Sequence, residues 1–368
     1  MKRTMTLLLA AAAAGSIAAP LMHAQGCVVA RSNGEAGGPE GEGGYLMAGD
    51  LELNTGYRHQ FSFRHYIGDV EQTQRIAQGT EVENKINLEN IDLTYQMTPR
   101  FAVSANIPVL SASRHSNNSA AMQFSHGIGD TSYMVSGWLW NPNENSRGNI
   151  QIAFGLQLPT GNDRVISYPD SRNGKGPVAT YDDYSIQPGS GGYGIILQWT
   201  SFKNIKATQV YFNGSYLATP QEQNNYLRSA TANPTSPTAY NSISDQYLVE
   251  TGLAVPVRKI RGLTLTLGPR WEGVPAKDLI GGNLGFRRPG YAVSIEPGFQ
   301  YFYKSHAITF SLAKALYRNR TVSYPDSLTG GHGDAAFADY VWLASYSFRL
   351  NNPFHRNSTV ASTSAHHS

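Results

Sequence analysis

The fold of this chain is decided by the stretch Ile150–Leu158, which reads IQIAFGLQL. Its apolar residues occupy every second position, and the residues between them are polar or small. Successive side chains of a β-strand point to opposite faces of the sheet, so this stretch predicts a strand with one apolar face and one wet face. A soluble β-sandwich produces the same alternation, and the number of such strands therefore matters more than any one of them.

The same alternation recurs along most of the chain. An even number of strands, each of about ten residues, is typical of outer-membrane barrels. The phase of the alternation shifts between Leu88 and Ile91 and again around Lys314, which predicts bulges or displaced strand boundaries. We expect about twelve strands, at 51–64, 82–97, 101–112, 127–140, 149–159, 190–202, 207–219, 245–257, 263–274, 290–304, 307–319 and 337–350.

The connections distinguish a barrel from a sandwich, because short and long connections alternate along the whole chain. Short periplasmic turns and long extracellular loops are the organisation of an outer-membrane barrel. The sequence therefore predicts an all-β fold, a transmembrane antiparallel up-and-down β-barrel of about twelve strands with both chain ends in the periplasm. The short turns lie at 98–100, 141–148, 202–206, 258–262 and 304–306, and the long polar loops at 66–80, 113–126, 160–189, 220–244, 275–289 and 320–336.

The composition agrees with this class. Charged residues make up 15% of the chain and the mean hydropathy is -0.34, and no stretch after the N-terminus shows helical periodicity. The net charge of +3 is small, so we expect no nucleic-acid partner.

Both termini lie outside the predicted barrel, which we place at 50–350. A secretory signal peptide is predicted at 1–24, from Lys2 and Arg3, the apolar run after them and a small residue near Ala24. A glycine-rich flexible lead-in follows at 25–49, and a disordered polar tail is expected at 351–368. The single cysteine, Cys27, allows no internal disulfide, and its acylation as a lipoprotein is the alternative. The predicted location is the bacterial outer membrane, with lipid and lipopolysaccharide as surroundings.

Aromatic residues cluster near the predicted strand ends. Tyr and Trp prefer the bilayer interface because their rings are apolar at one end and polar at the other, so the cluster predicts girdles, although β-propensity alone also enriches aromatics in strands. The residues are Tyr95, Trp138, Trp140, Trp199, Tyr211, Trp271, Tyr301, Tyr303, Trp342 and Tyr346.

Three glycine-rich motifs carry a family resemblance. They are Gly127-Ile128-Gly129-Asp130, then Leu158-Pro159-Thr160-Gly161, and then Gln187-Pro188-Gly189-Ser190-Gly191. The chain resembles the family described as "MetA-pathway of phenol degradation", which is broadly similar to channels for hydrophobic compounds of the long-chain fatty acid transporter type. The resemblance implies an outer-membrane barrel, and the final strand Tyr340–Leu350 resembles the aromatic strand read by the barrel-assembly machinery. The tail after it departs from that pattern.

A repeated motif falls in two predicted loops. Ser167–Ser171 and Ser323–Ser327 both read SYPDS. Proline fixes φ and aspartate caps its own backbone, so two local turns are the simpler interpretation. A paired ligand or ion site at the mouth is the alternative.

Ionisable residues lie on the predicted wet face. In a narrow barrel we expect most of them to pair across the lumen, and the alternative is a charged constriction that selects solutes by sign and size. Arg270, Glu272 and Glu296 lie on neighbouring strands and are the first candidates. Glu89 also falls on the predicted wet face. The channel-lining candidates are Glu52, Arg58, Arg64, Asp130, Glu250, Arg270, Glu272, Glu296 and Arg349.

The sequence predicts no enzyme. A protease-like mouth would need Asp182 and Asp183 with His126 or His332, but no nucleophile elbow appears, and we expect no catalytic residue, metal site or cofactor. The predicted function is passive passage of a small-molecule solute, which could be hydrophobic or aromatic. The alternative is a non-conducting barrel that serves as a surface anchor or adhesin.

Overall fold

The computed structural model describes residues 45–117, 122–145, 147–168, 177, 179–228 and 232–352. The predictions for the signal peptide at 1–24, for Cys27, for most of the lead-in at 25–49 and for nearly all of the tail at 351–368 lie outside the described residues.

Within these ranges the chain forms eighteen strands and two short helices. The helices are α1 (Gln74–Ala77) and α2 (Tyr324–Thr329). The strands are β1 (Leu51–Ile67), β2 (Val70–Glu71), β3 (Val82–Gln96), β4 (Phe101–Ser116), β5 (Met122–Ile128), β6 (Ser132–Trp138), β7 (Gly148–Gln157), β8 (Ile166–Ser167), β9 (Thr180–Tyr181), β10 (Gly194–Ile205), β11 (Thr208–Ala218), β12 (Gln223–Leu227), β13 (Tyr240–Ser242), β14 (Gln246–Pro256), β15 (Leu263–Val274), β16 (Gly290–Tyr303), β17 (His306–Asn319) and β18 (Ala335–Leu350).

Twelve of the described strands close into an antiparallel barrel. Their order is β1-β3-β4-β6-β7-β10-β11-β14-β15-β16-β17-β18, and β18 pairs back onto β1 from Leu51↔Leu350 to Tyr66↔Ala335. β2 and β5 are added to this sheet beside β1 and β4. The predicted barrel and strand number are confirmed, and closure leaves no open edge among the twelve.

Short and long connections alternate around the barrel, as predicted. The short turns, such as the one at residues 206–207, lie at one end, which we call the short-turn end, and the opposite end is the long-loop end. Both described chain ends meet at the short-turn end, where the amide of Asn352 donates to Asp50 Oδ1 at 3.1 Å.

The barrel is apolar outside and polar inside. Phe154 and Leu156 are 63% and 58% exposed on the exterior, whereas Gln60 and Asn90 are fully buried in the lumen. A soluble protein shows the reverse arrangement, and an apolar exterior suits a barrel surrounded by lipid.

None of the described helices has the length and apolar character needed to cross a bilayer.

The predicted strand at 127–140 is wrong in its first half. Residues Gly129–Thr131 interrupt it, so that β5 forms a hairpin with β4 at the long-loop end and only β6 belongs to the barrel. The loop predicted at 113–126 is correspondingly shorter, because β4 runs on to Ser116.

The two phase shifts have different origins. β3 keeps an unbroken register with both neighbours, so the prediction of a bulge between Leu88 and Ile91 is wrong. Leu88 points into the lumen and Glu89 points outward, which also corrects the lumenal placement of Glu89. The shift near Lys314 is a bulge at Leu316, where the pairing jumps from Val293↔Tyr317 to Ser294↔Ala315.

The girdle prediction is wrong for Trp138 and Tyr211. Their rings face the lumen and are 9% and 4% exposed, whereas Trp271 and Trp342 lie on the exterior. β-propensity and burial, rather than the bilayer interface, account for the two inward rings.

The second SYPDS copy caps α2. Ser323 Oγ accepts the amide of Asp326 at 3.0 Å, and Asp326 Oδ2 accepts the amide of Ser323 at 3.2 Å. This capping box supports the local interpretation for that copy. Pro169–Ser171 of the first copy lie outside the described residues.

The orientation of β3 is directly testable with a spin label on a cysteine, in a Cys27→Ser background. A label at position 89 should collide with oxygen dissolved in the bilayer, because Glu89 points outward, and a label at position 90 should not. Electron paramagnetic resonance of the refolded barrel in lipid measures both, with Leu93→Cys as an exterior control. The reverse ranking of 89 and 90 would contradict this orientation.

Candidate conduit through the barrel

Five of the predicted lining residues meet in the lumen about halfway along the barrel. Arg270 Nη2 donates to Glu272 Oε2 at 2.9 Å, and its Nη1 contacts Glu250 and, at 3.4 Å, Glu296. Arg58 completes the group, which we call the lumen cluster. The exposed fractions of Arg58, Arg270 and Glu272 are 1%, 0% and 1%, so these charges are satisfied by each other rather than by water.

Arg58 reaches the cluster from a different part of the wall. It lies on β1, and its Nη1 and Nη2 donate to Glu272 Oε2 and Oε1 at 3.1 and 3.2 Å across the lumen. β1 and β15 are separated in the barrel by β16, β17 and β18. The predicted pairing across the lumen is therefore present. Two arginines face three glutamates, which leaves one formal negative charge if all are ionised.

A small apolar cluster lies on another part of the lumen wall, towards the long-loop end. Met134, Ala153, Ile196 and Leu217 form a buried cluster on the inner faces of β6, β7, β10 and β11. Much of the remaining inner face is polar, as at Asn90, Asn106 and Asn213, so the lumen holds the charged lumen cluster on one side and a small apolar cluster on another.

A second obstruction lies at the short-turn end. Tyr45 packs its ring against Trp138 and Phe202, at centroid distances of 5.1 and 6.3 Å. Both of these rings point into the lumen and are nearly buried. The segment that precedes β1 therefore enters the barrel mouth at Tyr45.

An apolar patch lines the lumen near the long-loop end. Ile86 and Leu88 of β3 and Leu110 and Ala112 of β4 are buried there against Ile186, which comes from the loop before β10. We call these four strand residues the inner apolar patch. An isolated apolar face inside a polar lumen needs a cover, and Ile186 supplies part of it.

The barrel wall changes its construction beside this patch. β5 pairs with β4 on one side and, among the described strands, with no barrel strand on the other. Instead, the short β8–β9 pair of the long loop flanks it: the amide of Phe124 donates to Ser167 Oγ at 3.2 Å, and Gln123 Nε2 donates to Tyr181 O at 3.3 Å. Between β5 and β10 the wall is therefore built by this long loop rather than by a barrel strand.

Asp130 holds this loop wall together. Its carboxylate accepts the amide of Gly161 at 3.0 Å, the amide and hydroxyl of Ser190 at 2.8 and 2.7 Å, and Gln157 Nε2 at 2.9 Å. The three glycine-rich motifs, far apart in sequence, thus converge on one buried carboxylate. Asp130 lies between strands and clamps two loops, and it does not point down the axis with the lumen cluster.

The two loops cross where both carry glycine. A Cβ on Gly189 would lie 2.2 Å from Gly161 O, and one on Gly161 would lie 2.7 Å from Gly189 Cα. Only residues without a side chain permit this approach, so glycine at these positions is required by the crossing.

The remaining lining candidates lie towards the two ends. Arg349 Nη2 donates to Glu52 Oε2 at 3.2 Å near the short-turn end. Arg64 forms ion pairs with Glu71 and Asp339, at 2.5 and 2.9 Å, near the long-loop end. Neither pair belongs to the lumen cluster, and a role for any candidate in lining a conduit stays a prediction.

An arginine-rich group at the mouth was not predicted from the sequence. Arg288 donates to both oxygens of Asp183 at 2.8 Å, Arg114 lies 3.5 Å from the same carboxylate, and Arg228 stacks 3.4 Å from the centre of the Phe286 ring. Burial alone would raise the pKa of Asp183, but the guanidiniums of Arg114 and Arg288 outweigh it and hold the pKa well below its usual range. The loop contact is therefore stable at neutral pH and is lost only as pH falls through that lowered pKa.

The side chains of the protease-like alternative have other partners. Asp182 accepts from Ser125 at 2.6 Å, Asp183 binds Arg288, and His126 lies on the exterior of β5. No group of three or more His, Cys, Asp and Glu side chains is placed to hold a metal ion in the part of the chain that is described.

The glycine crossing predicts the behaviour of one substitution. Gly189→Ala should push the two loops apart, because the new Cβ overlaps Gly161 O. We expect faster protease cleavage within residues 158–193, with the barrel still folded by its heat-modifiable gel mobility.

Gly331→Ala is the matched control, since its Cβ would meet nothing closer than Thr329 Oγ1 at 3.5 Å. Equal cleavage rates for the wild type and both variants would contradict the proposed crossing.

Solved structures with similar folds were found, although no protein-family model and no curated protein sequence matches the chain. An outer membrane channel from Pseudomonas putida F1 superposes with a TM-score of 0.58 at 14% identity, over 83% of this chain and 97% of that one. The resemblance noted from the sequence therefore finds support at the level of fold, and the family name stays a prediction.

Two more distant likenesses have TM-scores too low to carry an argument. The translocator domain of the autotransporter NalP from Neisseria meningitidis gives 0.42 at 11% identity, over 82% of this chain and 88% of that one. The toluene transporter TodX of Pseudomonas putida gives 0.40 at 9% identity, over 82% and 89%. At the level of fold, the chain is similar to an outer membrane channel.

Proposed function

We propose that this chain is an outer-membrane channel for small apolar molecules, which pass along the inner apolar patch and leave sideways through the wall beside β5. The observation that carries the proposal is the replacement of strand by loop between β5 and β10, next to Leu110 and Ala112. The short-turn end of the barrel then faces the periplasm and the long-loop end faces the medium.

The charges favour an apolar cargo over an ion. A solute that moved straight along the axis would have to disrupt Arg58–Glu272 and then displace Tyr45 from Trp138 and Phe202. Separating a buried ion pair is strongly unfavourable because each partner is left as an uncompensated charge. A path that turns aside above the lumen cluster avoids both obstructions.

The loop wall is suited to opening. It is held by Asp130 and by the glycine crossing rather than by a ladder of strand hydrogen bonds. A local rearrangement there leaves the twelve-strand barrel intact. Apolar molecules also dissolve in the bilayer core, so a sideways exit delivers them to a favourable medium.

The filled lumen favours a second candidate, a non-conducting barrel that anchors loops at the surface. In that case the patch and the loop wall are structural, and filling the patch leaves the permeability of the membrane unchanged.

Uptake of a fluorescent apolar probe, N-phenyl-1-naphthylamine, by intact Gram-negative cells separates these candidates. The wild-type barrel should raise the initial rate, and Ala112→Trp should lower it several-fold, because the bulky indole would occupy the inner apolar patch, where Ala112 packs with Leu110 and Ile186.

Ala105→Trp is the control, since Ala105 lies on the exterior of the same strand. Surface amounts are matched by heat-modifiable gel mobility. No rate increase from the wild type would favour the anchor, and equal rates for the three proteins above background would exclude the inner apolar patch as the path.

A further inference from the structure

A polar patch interrupts the apolar exterior of the barrel on two neighbouring strands. It consists of Tyr57 and His59 on β1 and of Asn87 and Glu89 on β3, paired across the strands as Tyr57↔Glu89 and His59↔Asn87. All four side chains point outward, and Glu89 is exposed. We call these four residues the exterior polar patch.

The patch lies within the height of the apolar band. Glu89 is seven residues from the short-turn end of β3 at Gln96, which is roughly 18 Å along the axis at ~3.3 Å per residue and ~40° tilt, against a band ~25 Å tall. Ile91 and Leu93 flank it towards the short turns. Towards the long loops, Phe61 and Phe63 follow on β1, whereas β3 continues with Lys85, whose Nζ lies 5.4 Å from the centre of the Phe61 ring. Lipid tails offer no hydrogen bonds to the patch at this height.

The hydrogen bonds within the patch do not involve the Glu89 carboxylate. Tyr57 Oη donates to Asn87 Oδ1 at 2.6 Å, and His59 Nδ1 lies 2.8 Å from the same oxygen. Among the described residues, no ion pair includes the Glu89 carboxylate. His59 Nε2 lies on the far side of the imidazole ring and points away from this hydrogen bond. Like the Glu89 carboxylate, it takes no part in the hydrogen bonds within the patch.

We propose that the exterior polar patch is the contact surface for a second copy of this chain, in a two-fold dimer within the membrane. Two copies in one membrane share their orientation, so a two-fold axis must run along the membrane normal, and each residue meets partner residues at its own height. An axis between β1 and β3 sets β1 of one copy against β3 of the other.

The chemistry at equal height is self-complementary. In the register of β1 and β3, Glu89 lies opposite Tyr57, and His59 is two residues further along β1 on the same outward face. The Glu89 carboxylate therefore comes within reach of the His59 ring of the other copy, twice by symmetry. One proton serves each pair whichever partner holds it, because imidazole and carboxylate can each carry it. Two glutamates alone would repel each other across the axis, whereas a surface that carries both an acid and a base can pair with a copy of itself. A two-fold dimer joins two identical surfaces in this way, whereas a ring of three or more copies joins two different surfaces.

The mass of the refolded mature barrel, measured by light scattering in mild detergent and by native mass spectrometry from lipid nanodiscs, tests the dimer. The wild type should be a dimer, and Glu89→Leu should weaken dimerisation at least ~10-fold in dissociation constant. Lys314→Leu is the matched control, because it removes an outward charge from β17 and leaves the patch intact.

A second measurement does not disturb the patch. Thr55→Cys places a thiol beside the proposed axis on the exterior of β1, and a short bifunctional maleimide added to isolated outer membranes in a Cys27→Ser background should give a covalent dimer. Leu267→Cys, on the exterior of β15, should not.

A monomeric wild type over the whole concentration range, or a Glu89→Leu dimer as tight as the wild type, would overturn the proposal. A monomer that retains lipopolysaccharide only when Glu89 is present would assign the patch to lipid instead. Neither readout depends on transport, so the dimer and the proposed channel fail separately.

Discussion

A guanidinium that water does not reach must form its ion pairs with carboxylates of the protein, and Arg58 and Arg270 do so inside the lumen. Arg58 bridges from β1 to Glu272 on β15, and Arg270 draws in Glu250 and Glu296 from the strands on either side. Removing one partner of such a buried pair typically costs about 3–5 kcal/mol, because the other charge is left uncompensated. This requirement determines which side chains fill the lumen and how the far walls of the barrel are tied together.

The lumen cluster has consequences for the rest of the molecule. The charged side chains of the lumen cluster occupy the axial space about halfway along the barrel, and the part of the wall that no barrel strand completes lies at the long-loop end. There the inner apolar patch, Ile186 and the loop wall lie together, and Asp130 fixes the wall with four hydrogen bonds. In the proposed sideways passage, the lumen cluster blocks the route along the axis and the inner apolar patch lines the route to the wall.

Periodicity was sufficient to predict the barrel, its twelve strands and the presence of inward charges that pair across the lumen, because each depends on which face a residue occupies. It did not show that Arg58 would meet Glu272. It failed on β3, where Ile86 and Leu88 look like an exterior face and in fact line the lumen against Ile186. A side chain that is covered by a distant loop carries no local signal of that cover. For the same reason, the sequence alone did not show that three glycine-rich motifs meet at Asp130, or that Glu89 faces outward.

Single-channel conductance in planar bilayers tests the central role of the lumen cluster most directly. The wild type and Tyr45→Ala should show no resolved conductance steps, and adding Arg58→Ala with Glu272→Ala to Tyr45→Ala should produce them, with Arg64→Ala and Glu71→Ala as the control pair at the long-loop end. Steps of the same size in the wild type would mean that the axis is open past Arg58 and Glu272, and would contradict the account.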